Sequence, residues 1–163
     1  MISRYYVTRG ARLPPVKSDP QRHLVYAMER KIIGWTVHTT MPVNDLLDVA
    51  IHACKKYDAD VPEIKIINKP KLRVFGYSDH KITLNAGYNG QNLSTFLHEL
   101  AHWLQDEVWH QTNDWDLICP QEDHGPEFMA IYIHLLDQYK MMPRNQMIDL
   151  CDECGIIYDE PKL

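Results

Sequence analysis

The chain has 163 residues, of which 45% are hydrophobic and 24% charged, and its formal net charge is −5 at pH 7. This length and balance are typical of a single folded domain, and they exclude a fibrous or wholly disordered chain. No stretch approaches the roughly 18–20 apolar residues of a membrane span, and the negative charge disfavours binding of nucleic acid over the whole surface. Nine histidines are an unusual number for this length and hint at metal or proton chemistry.

The N-terminal segment and the cysteines indicate the compartment. Residues 1–17 are basic and aromatic without an apolar stretch behind them, so they predict an extended arm rather than a secretory signal. The four cysteines are too few and too scattered for a disulfide framework, which predicts reduced thiols and a cytoplasmic location. Cys151 and Cys154 form a lone C-x-x-C pair, and we expect two partly buried thiols there because a structural zinc site usually has a second pair.

Helical patterns come first along the chain. Ser18-Asp19-Pro20 offers an N-cap followed by Pro at the first helical position, and Gly34 offers a stop, so a helix is predicted at about 20–33. A second helix is predicted after Pro42 because its apolar residues recur at helical spacing. These residues are Val43, Leu46, Leu47, Ala50, Ile51 and Cys54.

The period then changes to that of strands. The segments 63–67, 72–75 and 81–85 are short and either alternate or are rich in β-branched residues. Pro70 and the stretch 76–80 supply turns between them. The pattern therefore predicts a small antiparallel sheet of three strands.

The second half of the chain returns to helical spacing. Helices are predicted from Asn92 to Val108, from Gly125-Pro126 up to Pro143, and around 144–151, with residues 144–163 forming a C-terminal helix and tail. The whole pattern is α+β, with helices, a short sheet and further helices. We expect it to fold as one domain over residues 1–163.

One pentapeptide on the helix predicted at 92–108 carries metal chemistry. His98-Glu99-Leu100-Ala101-His102 is the H-E-x-x-H pattern, in which two imidazoles one helical turn apart can reach the same ion. Zinc accepts two such ligands, a third protein ligand and an open position. Glu99 follows the first ligand directly, so it predicts a general base that takes the proton of an attacking water. The two histidines share the helix face opposite the leucine stripe with Thr95, Gln105 and Trp109, and a solvated polar face would look the same.

The third ligand has several candidates. Gln105 and Val108 exclude the metzincin extension of the motif, which needs Gly and His at those positions. His124 is the strongest candidate, because Gly125-Pro126 holds it at a rigid corner where a helix begins. Glu127 in the same helix and His110 remain alternatives.

The stretch from Ile82 to Tyr139 resembles the SprT-like (Spartan-like) zinc metallopeptidases. That family has a strand, then H-E-x-x-H on a helix, then His-Gly-x-x-Phe opening the next helix, which here correspond to Ile82–Asn85, His98–His102 and His124–Phe128. The resemblance implies a zincin-like fold, with His98, His102 and His124 as zinc ligands and Glu99 as the general base. It also implies that the strand at 81–85 borders the cleft, where an extended substrate could add as a further strand.

The function expected from these observations is zinc-dependent hydrolysis of peptide bonds in a protein or peptide substrate, with zinc as the sole cofactor. The family often carries a DNA-binding element, but the net charge of −5 and the lone C-x-x-C pair do not support one here, and no membrane partner is expected. Two alternatives remain. One is a metal-dependent hydrolase of a non-peptide amide that uses Cys54 as a ligand, although the Gly-rich approach of that family is missing. The other is a catalytically silent zincin-fold binding or regulatory module.

Overall fold

A computed structural model of the protein describes residues 18–33, 39–70, 76–78, 81–114 and 119–160. The predicted N-terminal arm, the stop at Gly34 and the strand predicted at 72–75 lie outside these residues. No helix among them is long and apolar enough to cross a membrane.

The described residues form five α-helices and three strands, which confirms the α+β class. The elements in chain order are α1 (Arg22–Ile33), α2 (Val43–Tyr57), β1 (Glu63–Ile67), β2 (Gly76–Ser78), β3 (Lys81–Asn85), α3 (Leu93–His110), α4 (Pro126–Gln138) and α5 (Arg144–Cys154). The chain divides into two compact units. One takes its described residues from 39–119, and the other from 17–38 and 120–163. The prediction of a single domain over 1–163 stays a prediction.

The sheet of the first unit is mixed, so the predicted all-antiparallel sheet is wrong. The strand order is β1-β3-β2, with β1 parallel to β3 and β2 antiparallel to it. The physical reason lies in β3, of which four of the five residues are buried, whereas β1 is exposed or half-buried along its length. A strand covered on both faces suits the centre of a sheet, so β3 pairs along both edges instead of ending a meander.

The central place of β3 also corrects the expectation about substrate binding. Over Lys81–Thr83, one edge of β3 pairs with β1 and the other with β2. An extended substrate therefore cannot add as a neighbouring strand along these residues.

In the first unit, α3 packs against β3 and α2. Its start is capped by Asn92, whose Oδ1 accepts a hydrogen bond from the Thr95 amide at 2.9 Å. Further along α3, the Trp103 indole donates to the carbonyl of Asp60 at 2.8 Å, and the Glu107 carboxylate accepts from the Asp60 amide at 3.0 Å. These contacts hold α3 near both of its ends. The helix ends at His110, two residues beyond the predicted end at Val108.

The second unit consists of α1, α4 and α5, and α5 contacts both of the other helices. The Cys151 thiol lies 3.7 Å from the sulfur of Met28 in the buried part of this unit. The Tyr132 hydroxyl on α4 donates to a carboxylate oxygen of Glu29 on α1 at 2.9 Å. These contacts join the second half of α1 to α5 and α4. The helix begins at Arg22 rather than at the predicted residue 20.

Candidate metal centre

The polar face of α3 is buried. His98 is 6% exposed, Glu99 7% and His102 0%, and Gln105 further along the same face is also buried. Removing polar and ionisable side chains from water is costly unless they bind a partner or an ion. The interpretation of this face as a solvated helix surface is therefore wrong.

His98 and His102 direct the same ring nitrogen to one place. Their Nε2 atoms lie 3.1 Å apart, and the two rings meet edge to face with centroids 4.9 Å apart. Two nitrogen ligands at about 2.0–2.1 Å from a tetrahedral ion are separated by roughly 3.3 Å. The spacing of i and i+4 on α3 therefore gives a pair that fits one metal ion.

His124 precedes α4 in a tight corner. Pro126 is the first residue of α4, as predicted, and Gly125 is its N-cap. A Cβ atom on Gly125 would lie 2.9 Å from the Cβ of Glu122, so any larger residue here would force Glu122 or the backbone of the corner to move. The corner leaves His124 only 1% exposed.

Asp19 binds both the ring and the backbone of His124. One carboxylate oxygen lies 2.7 Å from the ring Nδ1, and the other accepts a hydrogen bond from the backbone amide at 3.2 Å. Burial raises the pKa of Asp19. The hydrogen bonds and charge of His124, together with the charge of Arg22, act in the opposite direction and outweigh burial, so the pKa of Asp19 lies below its usual value. An ionised carboxylate only accepts hydrogen bonds, so Nδ1 is the donor in this contact, and in the neutral imidazole Nε2 is then the nitrogen that can bind a metal ion.

Gln21 holds the backbone on the other side of His124. Its amide nitrogen donates to the carbonyl of His124 at 2.7 Å and to that of Ile157 at 2.9 Å. Its amide oxygen accepts from the backbone amide of Ile157 at 3.0 Å. The sequence interpretation missed Gln21 altogether and assigned Asp19 to an N-cap, because nothing local links residues 19 and 21 to residue 124.

His98, His102 and His124 form a buried group that could hold a metal ion. Each offers one ligand atom, and these atoms all lie within 4.8 Å of one another. It is the one such group of His, Cys, Asp and Glu in the described part of the chain. Three imidazoles suit zinc, copper, iron or nickel rather than calcium or magnesium.

The other candidates for the third ligand do not belong to this group. His110 is buried, and its Nδ1 lies 2.8 Å from the carbonyl of Asp106 one turn earlier. Glu127 is half-buried in the first turn of α4, where a carboxylate favours the helix dipole. Of the candidates weighed from sequence, the structure brings His124 alone together with His98 and His102.

The cysteines also lie outside the group. Burial and the charges of Glu107 and Asp60 raise the pKa of the Cys54 thiol to about 12, which disfavours the thiolate that a metal needs. Cys151 is buried, whereas Cys154 is half-buried. Cys54 therefore does not support the alternative of a Cys-ligated amide hydrolase.

No protein-family model, no curated protein and no solved structure matches this chain. The function must therefore be inferred from the geometry and chemistry of the residues themselves.

Proposed function

We propose that the protein is a SprT-like, zincin-type zinc metallopeptidase that hydrolyses peptide bonds in a protein or peptide substrate. His98, His102 and His124 hold the zinc ion, and Glu99 is the general base. The observation that carries the proposal is the buried group of three histidines, two of which flank a buried glutamate in H-E-x-x-H on α3.

The number and type of ligands support catalytic zinc. Structural zinc sites are closed by four protein ligands and are usually rich in cysteine, whereas catalytic sites have three protein ligands and an open position. The group in the described residues has three members, all histidines. This donor set fits an ion that still has room for substrate.

Glu99 has the proton-transfer role in this proposal. Bound zinc supplies a Lewis acid that polarises a carbonyl and makes water more acidic. Glu99 accepts the proton of the water that attacks the scissile carbonyl and then delivers it to the nitrogen of the departing amine. Its place directly after His98 keeps the carboxylate beside the ligands, and its burial limits competing contact with bulk water.

The first test measures metal and activity together. Protein purified with zinc should contain about one zinc ion per chain by mass spectrometry and should cleave quenched fluorescent peptides. A chelator should abolish cleavage, and zinc should restore it. Zinc without cleavage across a broad peptide library would favour the silent binding module, and absence of bound metal would contradict the proposal.

The second test separates catalysis from metal binding. Glu99→Gln should retain zinc and lose about 10²- to 10⁴-fold in turnover, because the amide cannot accept the proton. Glu127→Gln is the matched control, since it makes the same change at a half-buried glutamate outside the histidine group, and it should keep both zinc and activity. Full activity of Glu99→Gln in a zinc-replete preparation would contradict the role of Glu99.

The state of the cysteines and the net charge bear on the compartment and the partners that we propose. All four cysteines are free thiols, which suits a reducing, cytoplasmic compartment. The net charge of −5 gives no support for nucleic acid as a partner, so the proposal includes no DNA-linked role.

A further inference from the structure

We propose that Asp19 and Gln21, two residues just before α1, are positioning residues that prepare His124 to bind metal. Asp19 fixes the imidazole through its Nδ1, so that Nε2 is the ligand atom, and Gln21 fixes the backbone that carries the ring. The inference rests on the proposed function in one respect, which is that His124 is a metal ligand.

The contacts of Asp19 determine the orientation of the ring. Its two carboxylate oxygens bind the ring Nδ1 at 2.7 Å and the backbone amide at 3.2 Å, so side chain and main chain of His124 are held by one group. A short contact between a ring N–H and a carboxylate is among the stronger hydrogen bonds in proteins. Tyr26 and Phe128 meet the same ring edge to face, with centroids 5.2 Å and 5.0 Å away. These contacts leave the ring little freedom to turn.

The contacts of Gln21 determine the path of the backbone. This buried side chain uses both ends of its amide, donating to the carbonyls of His124 and Ile157 and accepting from the amide of Ile157. Nearby, the amide of Asp159 donates to the carbonyl of Pro126 at 3.1 Å. The corner that carries His124 is thus bound on one side by the segment before α1 and on the other by the segment after α5.

Outer contacts of this kind have a measurable effect on metal affinity. A ligating histidine usually donates its second ring N–H to a carboxylate or carbonyl, which sets the tautomer and raises the basicity of the ligating nitrogen. Loss of such a partner costs about 10- to 100-fold in affinity. Asp19 is placed to have this effect, since its carboxylate accepts from the ring nitrogen that does not ligate.

The decisive variant is Asp19→Asn. It keeps the shape of the side chain, but it replaces one of the two carboxylate oxygens that accept from the ring Nδ1 and the backbone amide of His124 with an NH₂ donor, so one of these two hydrogen bonds is lost in the present geometry. Zinc affinity, measured by competition with a chromogenic chelator, should fall about 10- to 100-fold. Asp19→Glu keeps the carboxylate and should recover part of the affinity. Asp45→Asn makes the same change at an exposed aspartate in the first turn of α2 and should leave affinity unchanged.

A second measurement needs neither metal nor activity. Nitrogen-15 NMR of the His124 ring in the metal-free protein should show the proton on Nδ1 in the wild type and a loss of that tautomer in Asp19→Asn. Gln21→Ala removes hydrogen bonds to the same corner without touching the ring, so it should weaken zinc binding while the tautomer stays as in the wild type.

The outcomes separate this inference from the proposed function. Unchanged zinc affinity in Asp19→Asn, or an unchanged ring tautomer in that variant, would overturn the role of Asp19. A wild-type protein that binds no zinc would overturn the proposed function, and the ring tautomer would still decide whether Asp19 sets it. If Asp19→Asn does not fold, the ring tautomer of the metal-free wild type decides in its place, because a neutral ring with its proton on Nε2 would contradict the orientation by Asp19.

Discussion

At the scale of single residues, the corner that carries His124 has no room for a side chain at Gly125. An added Cβ would lie 2.9 Å from the Cβ and 3.4 Å from the carbonyl oxygen of Glu122, so Gly125→Ala must displace the backbone. We expect a loss of about 1–3 kcal/mol in the free energy of unfolding by urea denaturation, as for overpacked positions, together with weaker zinc binding.

The matched control for that change is Gly155→Asn. Gly155 has φ +71°, and a Cβ there would meet no atom within 4 Å. Asparagine tolerates this left-handed conformation better than most residues, so the variant should lose less stability than Gly125→Ala. Equal stability of Gly125→Ala and the wild type would show that Glu122 moves freely and that the corner is not rigid.

The cysteines give a second prediction at this scale. Burial raises the pKa of the Cys151 thiol to about 12, with smaller contributions from the nearby Cys154 and Asp152, and the pKa of Cys54 is raised to a similar value. Since the thiolate is the reactive form, iodoacetamide at pH 8 should label half-buried Cys154 in the native protein and leave Cys54 and Cys151 unlabelled.

Peptide mapping by mass spectrometry gives the answer for each thiol. All cysteines should react after unfolding in urea, and Cys154→Ser should abolish the fast native labelling. Native labelling of Cys151 at the rate of Cys154 would contradict the burial of that side chain.

Single residues also show how far a sequence can predict this centre. Local spacing places His98 and His102 on one helix face, and the Gly-Pro pair after His124 fixes a corner, so three ligand candidates follow from short-range patterns. The role of Asp19 does not, because its partner lies 105 positions away and its own neighbourhood resembles an ordinary N-cap. Burial of the polar face is likewise a tertiary property that periodicity cannot reveal.

At the scale of elements, the central place of β3 makes a prediction about hydrogen exchange. Lys81–Thr83 have paired strands on both sides, whereas β1 lies at the edge of the sheet. Backbone amides of β3 should therefore exchange more slowly than those of β1 when followed by NMR in deuterated buffer. Protection of β1 equal to or greater than that of β3 would contradict the strand order.

Helices and strands differ in how much of them the sequence predicts. The limits of α3 and α4 agree with the predicted ones within a few residues, because a helix is specified by contacts within one or two turns. The strand segments 63–67 and 81–85 were also correctly predicted. Their order and direction were not, because strand pairing depends on contacts between distant segments that alternation does not encode.

At the scale of the whole molecule, the proposed zinc site predicts a stability that depends on metal. A ligand that binds the folded state alone at 100 times its Kd adds about 2.7 kcal/mol. For a chain of this size that corresponds to a rise of roughly 5–10 °C in Tm, which a thermal scan of protein with and without zinc will measure.

Two variants make that measurement specific. His124→Ala should lose most of the zinc-dependent rise in Tm. His110→Ala, at a buried histidine outside the group, should retain it. An equal rise in both variants would show that zinc stabilises the protein through another site.

The hydrogen bonds around His124 have a consequence for the living cell, where the chain emerges from the ribosome in order. Gln21 is made before its partners, which lie 103 and 136 residues further along the chain. A growing chain has therefore exposed both histidines of α3 long before Ile157 is available to hold the corner of the third ligand. Contacts between such distant positions also form slowly, because long loops must close first. On the proposed role of Gln21, the third ligand is therefore fully positioned only after the segment that contains Ile157 has been made.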